Sequence, residues 1–124
     1  MALSIGEVAK RAGLRASAIR YYEAQGLLPH AERAGGKRCY APEILERLAA
    51  IRIAQQAGFT IAEIRTLLAG FPEDTPPSER WRALARRKIE EVDALIARAE
   101  SMRRLLVEGL ECGCVRWSEC ALKE

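Results

Sequence analysis

Long apolar runs are missing from this sequence. The longest spans only a few residues, far short of the ~20 that cross a bilayer, so we expect no transmembrane helix and no membrane partner. The first residues, MALSIGEVAKRAG, also lack the apolar stretch of a secretory signal peptide. We therefore expect a cytoplasmic protein.

Histidine is almost absent, and this absence argues against an enzyme. His30 is the only histidine, and it lies far along the chain from the clustered cysteines. A thiol enzyme would therefore lack its usual base, and we expect no catalytic activity. Disorder is also excluded, because 49% of the residues are hydrophobic.

Neither sign of charge dominates the chain, which has 20 Lys and Arg against 17 Asp and Glu. The distribution is nevertheless uneven, because the first 40 residues carry seven basic and three acidic groups. Neutralising phosphate groups requires local rather than global positive charge. The basic front end is therefore a mild indication of nucleic-acid binding.

Helix signals dominate the sequence. Ser4 with Glu7, and Thr60 with Glu63, fit capping boxes that begin helices. We predict helices at about 5–11, 16–24, 42–56, 61–70 and 79–108, with Pro42 as the first residue of the third and Ser78 capping the last. Pro29 and the pair Gly35-Gly36 interrupt this pattern and predict a small two-stranded hairpin, the wing, within residues 28–40.

These elements predict a mainly α fold. Residues 1–70 are expected to form a winged helix-turn-helix head with a small β-hairpin wing, and residues 71–77 a proline-rich linker. Residues 78–108 are predicted to form a long dimerisation helix, and residues 109–124 a cysteine-containing effector loop and tail. Arg47, Arg52 and Arg65 are predicted to lie on solvated faces, and Tyr22 in the core.

The long helix has the pattern of a coiled coil. No Gly or Pro interrupts residues 79–108, and apolar residues recur in alternating steps of three and four. This predicted seam consists of Val92, Leu95, Ala99, Met102 and Leu106. Because one helix cannot bury such a stripe alone, we expect a homodimer in which the same helix of a second subunit covers it.

The second helix and the wing carry groups suited to DNA. Arg15 and Arg20 can reach one groove and its edge, and the planar Arg20 guanidinium suits guanine or phosphate. Tyr21 adds a hydroxyl, and Lys37 and Arg38 on the wing offer charges to backbone phosphates. These residues are the candidate DNA contacts that the residue types themselves indicate.

Four segments resemble the MerR family of bacterial transcription regulators, and the resemblance covers essentially the whole chain. They are IGEVAK at 5–10, IRYYE at 19–23, GLL at 26–28 and GKRCY at 36–40. The resemblance implies that the second helix enters the major groove while the wing grips the backbone, with Arg20, Tyr21, Arg38 and Tyr40 as DNA contacts. Lys37 departs from the Tyr usual there. The resemblance further implies palindromic double-stranded promoter DNA and RNA polymerase as partners.

Three of the four cysteines are clustered as C-x-C-x5-C at Cys112, Cys114 and Cys120. In a reducing compartment this spacing is typical of metal binding, and soft thiolates select Cu(I), zinc, mercury-like ions or iron–sulfur clusters. Gly113 is predicted to let the backbone fold tightly between the first two. The negative end of the preceding helix should attract a cation and raise the thiol pKa values.

Two branches of the family share features of this tail. In the SoxR branch the motif C-x2-C-x-C-x5-C holds a [2Fe–2S] cluster, but its first cysteine would fall at Gly109, which has no side chain. The metal-sensing branch binds ions through two or three loop thiolates. We favour a thiolate-bound copper, mercury or zinc ion, with the [2Fe–2S] redox sensor as the alternative. A more distant alternative is an architectural DNA-binding protein with structural zinc.

Overall fold

The computed structural model describes residues 2–120. Its elements are, in chain order, β1 (Leu3–Ser4), α1 (Ile5–Ala12), α2 (Ala16–Ala24), β2 (Glu32–Ala34), β3 (Lys37–Tyr40), α3 (Ile44–Gln56), α4 (Ile61–Ala69), α5 (Pro77–Leu110) and a 3-10 turn (Trp117–Glu119). The chain divides into two compact units, Met1–Leu84 and Ala85–Glu124. Among residues 2–120, none of the helices combines the length and the apolar character that crossing a membrane requires.

Both predicted capping boxes are present. The Ser4 hydroxyl accepts from the Glu7 N–H at 3.1 Å, and the Glu7 carboxylate accepts from the Ser4 N–H at 3.2 Å. Thr60 and Glu63 make the same exchange at 3.1 and 2.8 Å. These bonds satisfy N–H groups that the first turn of a helix leaves unpaired. The bond from the Ser4 N–H is also the main reason that the pKa of Glu7 is lowered.

The predicted two-stranded hairpin, the wing, is present as β2 and β3, and β1 adds a third strand to its sheet. β3 is central and antiparallel to both neighbours, with Leu3 opposite Tyr40 and Arg33 opposite Arg38. Gly35 and Gly36 form the turn with φ of 59° and 80°, which glycine adopts readily. Strand β1, which was not predicted, is two residues long and too short to show an alternating pattern in the sequence.

Two helix starts differ from the predictions. α3 begins at Ile44, and Pro42 lies in the preceding turn, in which the Ile44 N–H donates to the Ala41 carbonyl. α5 begins at Pro77, so Ser78 lies inside the first turn instead of capping it. Proline suits a first helical position because the N–H that it lacks would have no partner there.

The first unit has a continuous apolar core. Its fully buried residues include Ile19 of α2 and Ile51 of α3. Tyr22 is buried as predicted, and its hydroxyl donates to Gln55 Oε1 at 2.8 Å. Trp81, near the start of α5, packs edge-to-face against Phe59 with ring centroids 5.2 Å apart. The core therefore includes the first turns of α5 as well as the predicted head.

Arginine side chains join the helices of this unit at their carboxyl ends. Arg52 and Arg65 are exposed as predicted and Arg47 is partly buried, and each of the three side chains also donates to a backbone carbonyl that follows or ends a helix. The acceptors are Leu27 O at 2.9 Å, Ala12 O at 3.0 Å and Gln25 O at 3.0 and 2.6 Å, respectively. Terminal carbonyls lack partners within their own helix and lie at its negative end, so a cation there is stabilising.

Arg80 does the same for α4. Its Nη1 donates to the Leu68 carbonyl at 2.8 Å, and its Nε donates to the Thr75 carbonyl at 2.9 Å. One side chain thus ends α4 and fixes the segment that leads into α5. The guanidinium, with five donors in a plane, is suited to holding several carbonyls together.

Core and surface isoleucines of α3 allow a direct test of this packing. Ile51 is 0% exposed and Ile53 is 56% exposed. We expect Ile51→Ala to lower the free energy of unfolding by about 2–5 kcal/mol, because it removes buried methyl groups and leaves a cavity. Ile53→Ala, the matched control, should lower it by less than about 1 kcal/mol. Urea denaturation at one fixed protein concentration measures both, and equal losses would contradict the placement of the core.

Candidate nucleic-acid interface and cysteine loop

A tight turn connects α1 and α2. Gly13 has φ of 67°, a left-handed conformation that favours glycine, and the Leu14 N–H donates to the Ala9 carbonyl at 3.0 Å. Only residues 13–15 separate the two helices. Two helices joined by so short a turn form a helix-turn-helix, in which the second helix is free to present its outer face.

α2 separates its side chains into a buried and an exposed group. Ile19 and Tyr22 enter the core, whereas Arg20 and Tyr21 lie at the surface. Arg15, which precedes the first turn of α2, is also exposed. The structure therefore leaves the three predicted DNA contacts of this helix accessible to a partner.

The wing residues lie at different depths. Lys37, at the start of β3, is exposed, and the side chain of Arg38 is 39% exposed. Tyr40 is only 3% exposed, and its hydroxyl donates to Glu23 Oε1 at 3.3 Å. Burial is the main cause that raises the pKa of Tyr40, so the phenol keeps the proton that it donates. We correct the expected role of Tyr40 as a DNA contact, because its side chain lies in the core.

Glu23 is the residue of this region that the sequence reasoning missed. Its carboxylate accepts from Arg38 Nη1 at 3.0 Å and from the Ala31 N–H at 2.7 Å. The available signal was its spacing, since Glu23 lies four residues after Ile19 and therefore on the buried face of α2. A carboxylate on such a face requires partners.

The cysteine loop begins where α5 ends. The Glu111 and Cys112 N–H groups donate to the Glu108 and Gly109 carbonyls, both at 3.3 Å, and extend the last turn of the helix. Cys112 and Cys114 are exposed, and Cys120 is partly buried. The first two thiols therefore lie in an accessible segment directly after the long helix.

The pKa values of the first two thiols shift in opposite directions. The pKa of Cys112 is lowered, mainly because the Cys114 thiol donates a hydrogen bond to it, and the pKa of Cys114 is raised because its proton is held in that bond. The expectation that the helix end raises the pKa of all three thiols was therefore wrong for Cys112.

The three cysteines do not converge on one point. Among residues 2–120, no three Cys, His, Asp or Glu side chains are arranged to hold a metal ion. The 3-10 turn precedes Cys120, whose N–H donates to the Trp117 carbonyl at 3.1 Å. Gly113 has no left-handed conformation, and a Cβ there would meet nothing within 4 Å, so the predicted need for glycine was wrong.

The donor set of the loop fits some ligands better than others. Its three thiols suit a soft ion of low coordination number, for which two or three thiolates suffice. The fourth cysteine of the chain, Cys39, lies on β3, where its thiol contacts the Lys37 carbonyl at 3.8 Å. An all-cysteine [2Fe–2S] cluster therefore lacks a ligand in this loop, because Gly109 has no side chain to offer.

The sequence matches two descriptions of one protein family. Residues 3–70 match "MerR HTH family regulatory protein", and residues 45–108 match "MerR, DNA binding". The chain belongs to the MerR family of helix-turn-helix transcription regulators. It is therefore a DNA-binding regulator and not an enzyme, as the resemblance implied.

The names of individual relatives refer to different kinds of regulator. A SoxR homolog from Chromobacterium violaceum is 34% identical over 97% of this chain and 82% of its own length. A mercuric resistance operon regulatory protein from Bacillus cereus is 34% identical over 87% of this chain and 83% of its own. The transcription regulator PbrR691 from Ralstonia metallidurans CH34, solved in complex with lead(II), is 30% identical. It has a TM-score of 0.77, covering 95% of this chain and 94% of that one. These relatives thus include a mercuric resistance regulator, a regulator solved with lead(II) and a SoxR homolog.

Proposed function

We propose that this regulator is a homodimer that binds palindromic promoter DNA and responds to a thiophilic ion of the Cu(I) or Hg(II) class. The observation that carries the effector assignment is the pair of exposed free thiols, Cys112 and Cys114, directly after α5. Cys120, six residues after Cys114, supplies the third thiol of the motif. Three thiolates would select a soft ion over hard cations such as magnesium or calcium.

DNA recognition is assigned to α2 and the wing. Arg20 presents a planar, exposed guanidinium that can pair with guanine O6 and N7 or with phosphate. Arg15 and Tyr21 lie at the surface beside it, and Lys37 and Arg38 reach backbone phosphates from the wing. Tyr40 acts from within the core by holding the wing in place.

Dimerisation is assigned to the apolar stripe of α5. All of its seam residues are exposed in a single chain: Val92, Leu95, Ala99, Met102 and Leu106. A contiguous apolar surface of this kind marks an interface, and the alternating steps of three and four suit a second copy of the same helix. Two heads held by that pairing would address the two half-sites of a palindrome.

In the proposed dimer, the cysteine loop would act through the end of α5. Cys112, Cys114 and Cys120 would hold the ion, which would add positive charge beside the negative end of α5. Since Cys112 follows the last residue of α5 by two positions, a rearrangement of the loop acts on the end of the dimerisation helix. The regulator would then deform promoter DNA differently in its two states and so control its use by RNA polymerase.

A SoxR-like redox sensor is the second candidate. The spacing C-x-C-x5-C and the 34% identity to a SoxR homolog favour it. The missing fourth thiolate at Gly109 argues against it, because a [2Fe–2S] cluster takes four ligands.

For DNA recognition, we expect Arg20→Ala to weaken binding about 5- to 150-fold, because a bidentate base contact contributes ~1–3 kcal/mol of discrimination. The probe is a palindromic duplex that the wild-type protein selects from a randomised library, and anisotropy measures affinity at fixed salt. Arg104→Ala removes the same charge from the face of α5 opposite the predicted seam and should change affinity less than twofold. Equal losses in both variants would contradict base recognition by Arg20.

For dimerisation, we expect Ala99→Glu to yield monomers at concentrations at which the wild type is dimeric, because it places a charge in the seam. Ala97→Glu is the matched control: it makes the same change two residues away, on the opposite face of α5, and should leave the dimer intact. Sedimentation equilibrium measures both variants. A dimeric Ala99→Glu protein would contradict the seam.

For effector binding, titration of the reduced protein with Cu(I) or Hg(II) should produce ultraviolet thiolate-to-metal absorption and alter transcription from the promoter. Cys112→Ser and Cys120→Ser should each abolish the transcriptional response, whereas Cys39→Ser, the matched control in the wing, should respond as the wild type does. An unchanged response with every thiophilic ion would remove the assignment.

Anaerobic purification distinguishes the remaining candidates. A reddish protein whose visible absorption disappears when iron is chelated would establish the redox sensor instead. A protein that holds zinc at the three cysteines, and whose control of transcription survives their replacement, would establish an architectural role with structural zinc.

A further inference from the structure

α2 carries a carboxylate that faces inward. The Glu23 side chain is only 10% exposed, and burying a charge without partners is costly. Its oxygens have three donors: Arg38 Nη1 at 3.0 Å and Tyr40 Oη at 3.3 Å on Oε1, and the Ala31 N–H at 2.7 Å on Oε2. All three donors belong to the chain segment that forms the wing and its approach.

These bonds connect the wing to the recognition helix on both sides. Arg38 and Tyr40 belong to β3, and Ala31 immediately precedes β2. Glu23 lies in the last turn of α2, the same helix that exposes Arg20 and Tyr21. One carboxylate therefore fixes the position of both wing strands relative to the helix that presents those side chains.

The ion pair also leaves Arg38 partly available. A guanidinium has five N–H donors in one plane, and Arg38 gives one nitrogen, Nη1, to Glu23. The Arg38 side chain is 39% exposed, so the ion pair with Glu23 does not enclose it. An arginine oriented by a carboxylate loses less rotamer freedom when it binds phosphate than an unrestrained one does.

We propose that Glu23 is a positioning residue for DNA binding: it orients the Arg38 guanidinium toward a backbone phosphate. The inference rests on the proposed function, in which Arg38 contacts phosphate. A negative charge near DNA repels phosphate. Removing the Glu23 charge should therefore tighten binding if the carboxylate does not position Arg38.

The sign of the effect therefore tests the proposal. Glu23→Gln is expected to weaken binding of the selected duplex about 5- to 30-fold and to make the dependence of log affinity on log salt concentration shallower by about one phosphate contact. Glu32→Gln, the matched control, removes an exposed carboxylate from β2 and should bind equally or more tightly with an unchanged salt dependence.

A second background separates positioning from general damage to the head. In Arg38→Gln protein, the further change Glu23→Gln should alter affinity less than twofold, because the side chain that Glu23 orients is gone.

Glu23→Gln that tightens binding, or that weakens it equally with and without Arg38, overturns the inference. If Arg38→Gln alone binds like the wild type, the proposed phosphate contact is wrong and the inference falls with it. If Arg38→Gln weakens binding but Glu23→Gln does not, the inference alone falls.

Discussion

The first unit depends on the pairing of backbone carbonyls that its short helices leave open. α1, α2 and α4 have eight or nine residues each, so a large share of their carbonyls lies in terminal turns without an intrahelical partner. Arginines from later elements occupy three of the helix ends or the turns just after them: Arg52 at α1, Arg65 at α2 and Arg80 at α4. Each bond also joins two elements, so the same interaction ends helices and assembles them.

The second unit follows the opposite principle. Its part of α5 is long and internally bonded, yet it buries almost nothing in a single chain, and Leu95 and Leu106 are exposed. Helices of this length obtain most of their stability from packing an apolar face against something else. The first unit therefore has a core of its own, whereas the helical part of the second exposes its apolar residues. In the proposed homodimer, dimerisation and the stability of the long helix would be a single equilibrium.

Features that depend on neighbouring residues could be predicted from the sequence, and features that depend on distant ones could not. Ser4 and Glu7 are three residues apart, and their capping box was predictable because its geometry is local. The partners of Glu23 lie eight, fifteen and seventeen residues away, and the carbonyl that Arg52 contacts lies forty residues away. Such bonds exist only once the chain has folded, so neither residue type nor local spacing reveals them.

The cysteine loop shows the same limit in a different form. Proximity in sequence brought Cys112 and Cys114 together, as expected, but it did not place Cys120 with them at a common point. The 3-10 turn precedes Cys120 and fixes its backbone, because the Cys120 N–H donates a hydrogen bond to the Trp117 carbonyl. A spacing motif identifies which donors are available, whereas backbone hydrogen bonds decide where they are held.

β3, the central strand of the sheet, is connected to both α1 and α2. Ser4 pairs with Cys39 of β3 and also caps α1, so this one residue connects the first helix to the wing. On the other side, Glu23 ties β3 to α2. Because the cap of α1 and the Glu23 carboxylate of α2 are both connected to β3, a displacement of the wing would disturb both helices of the helix-turn-helix together.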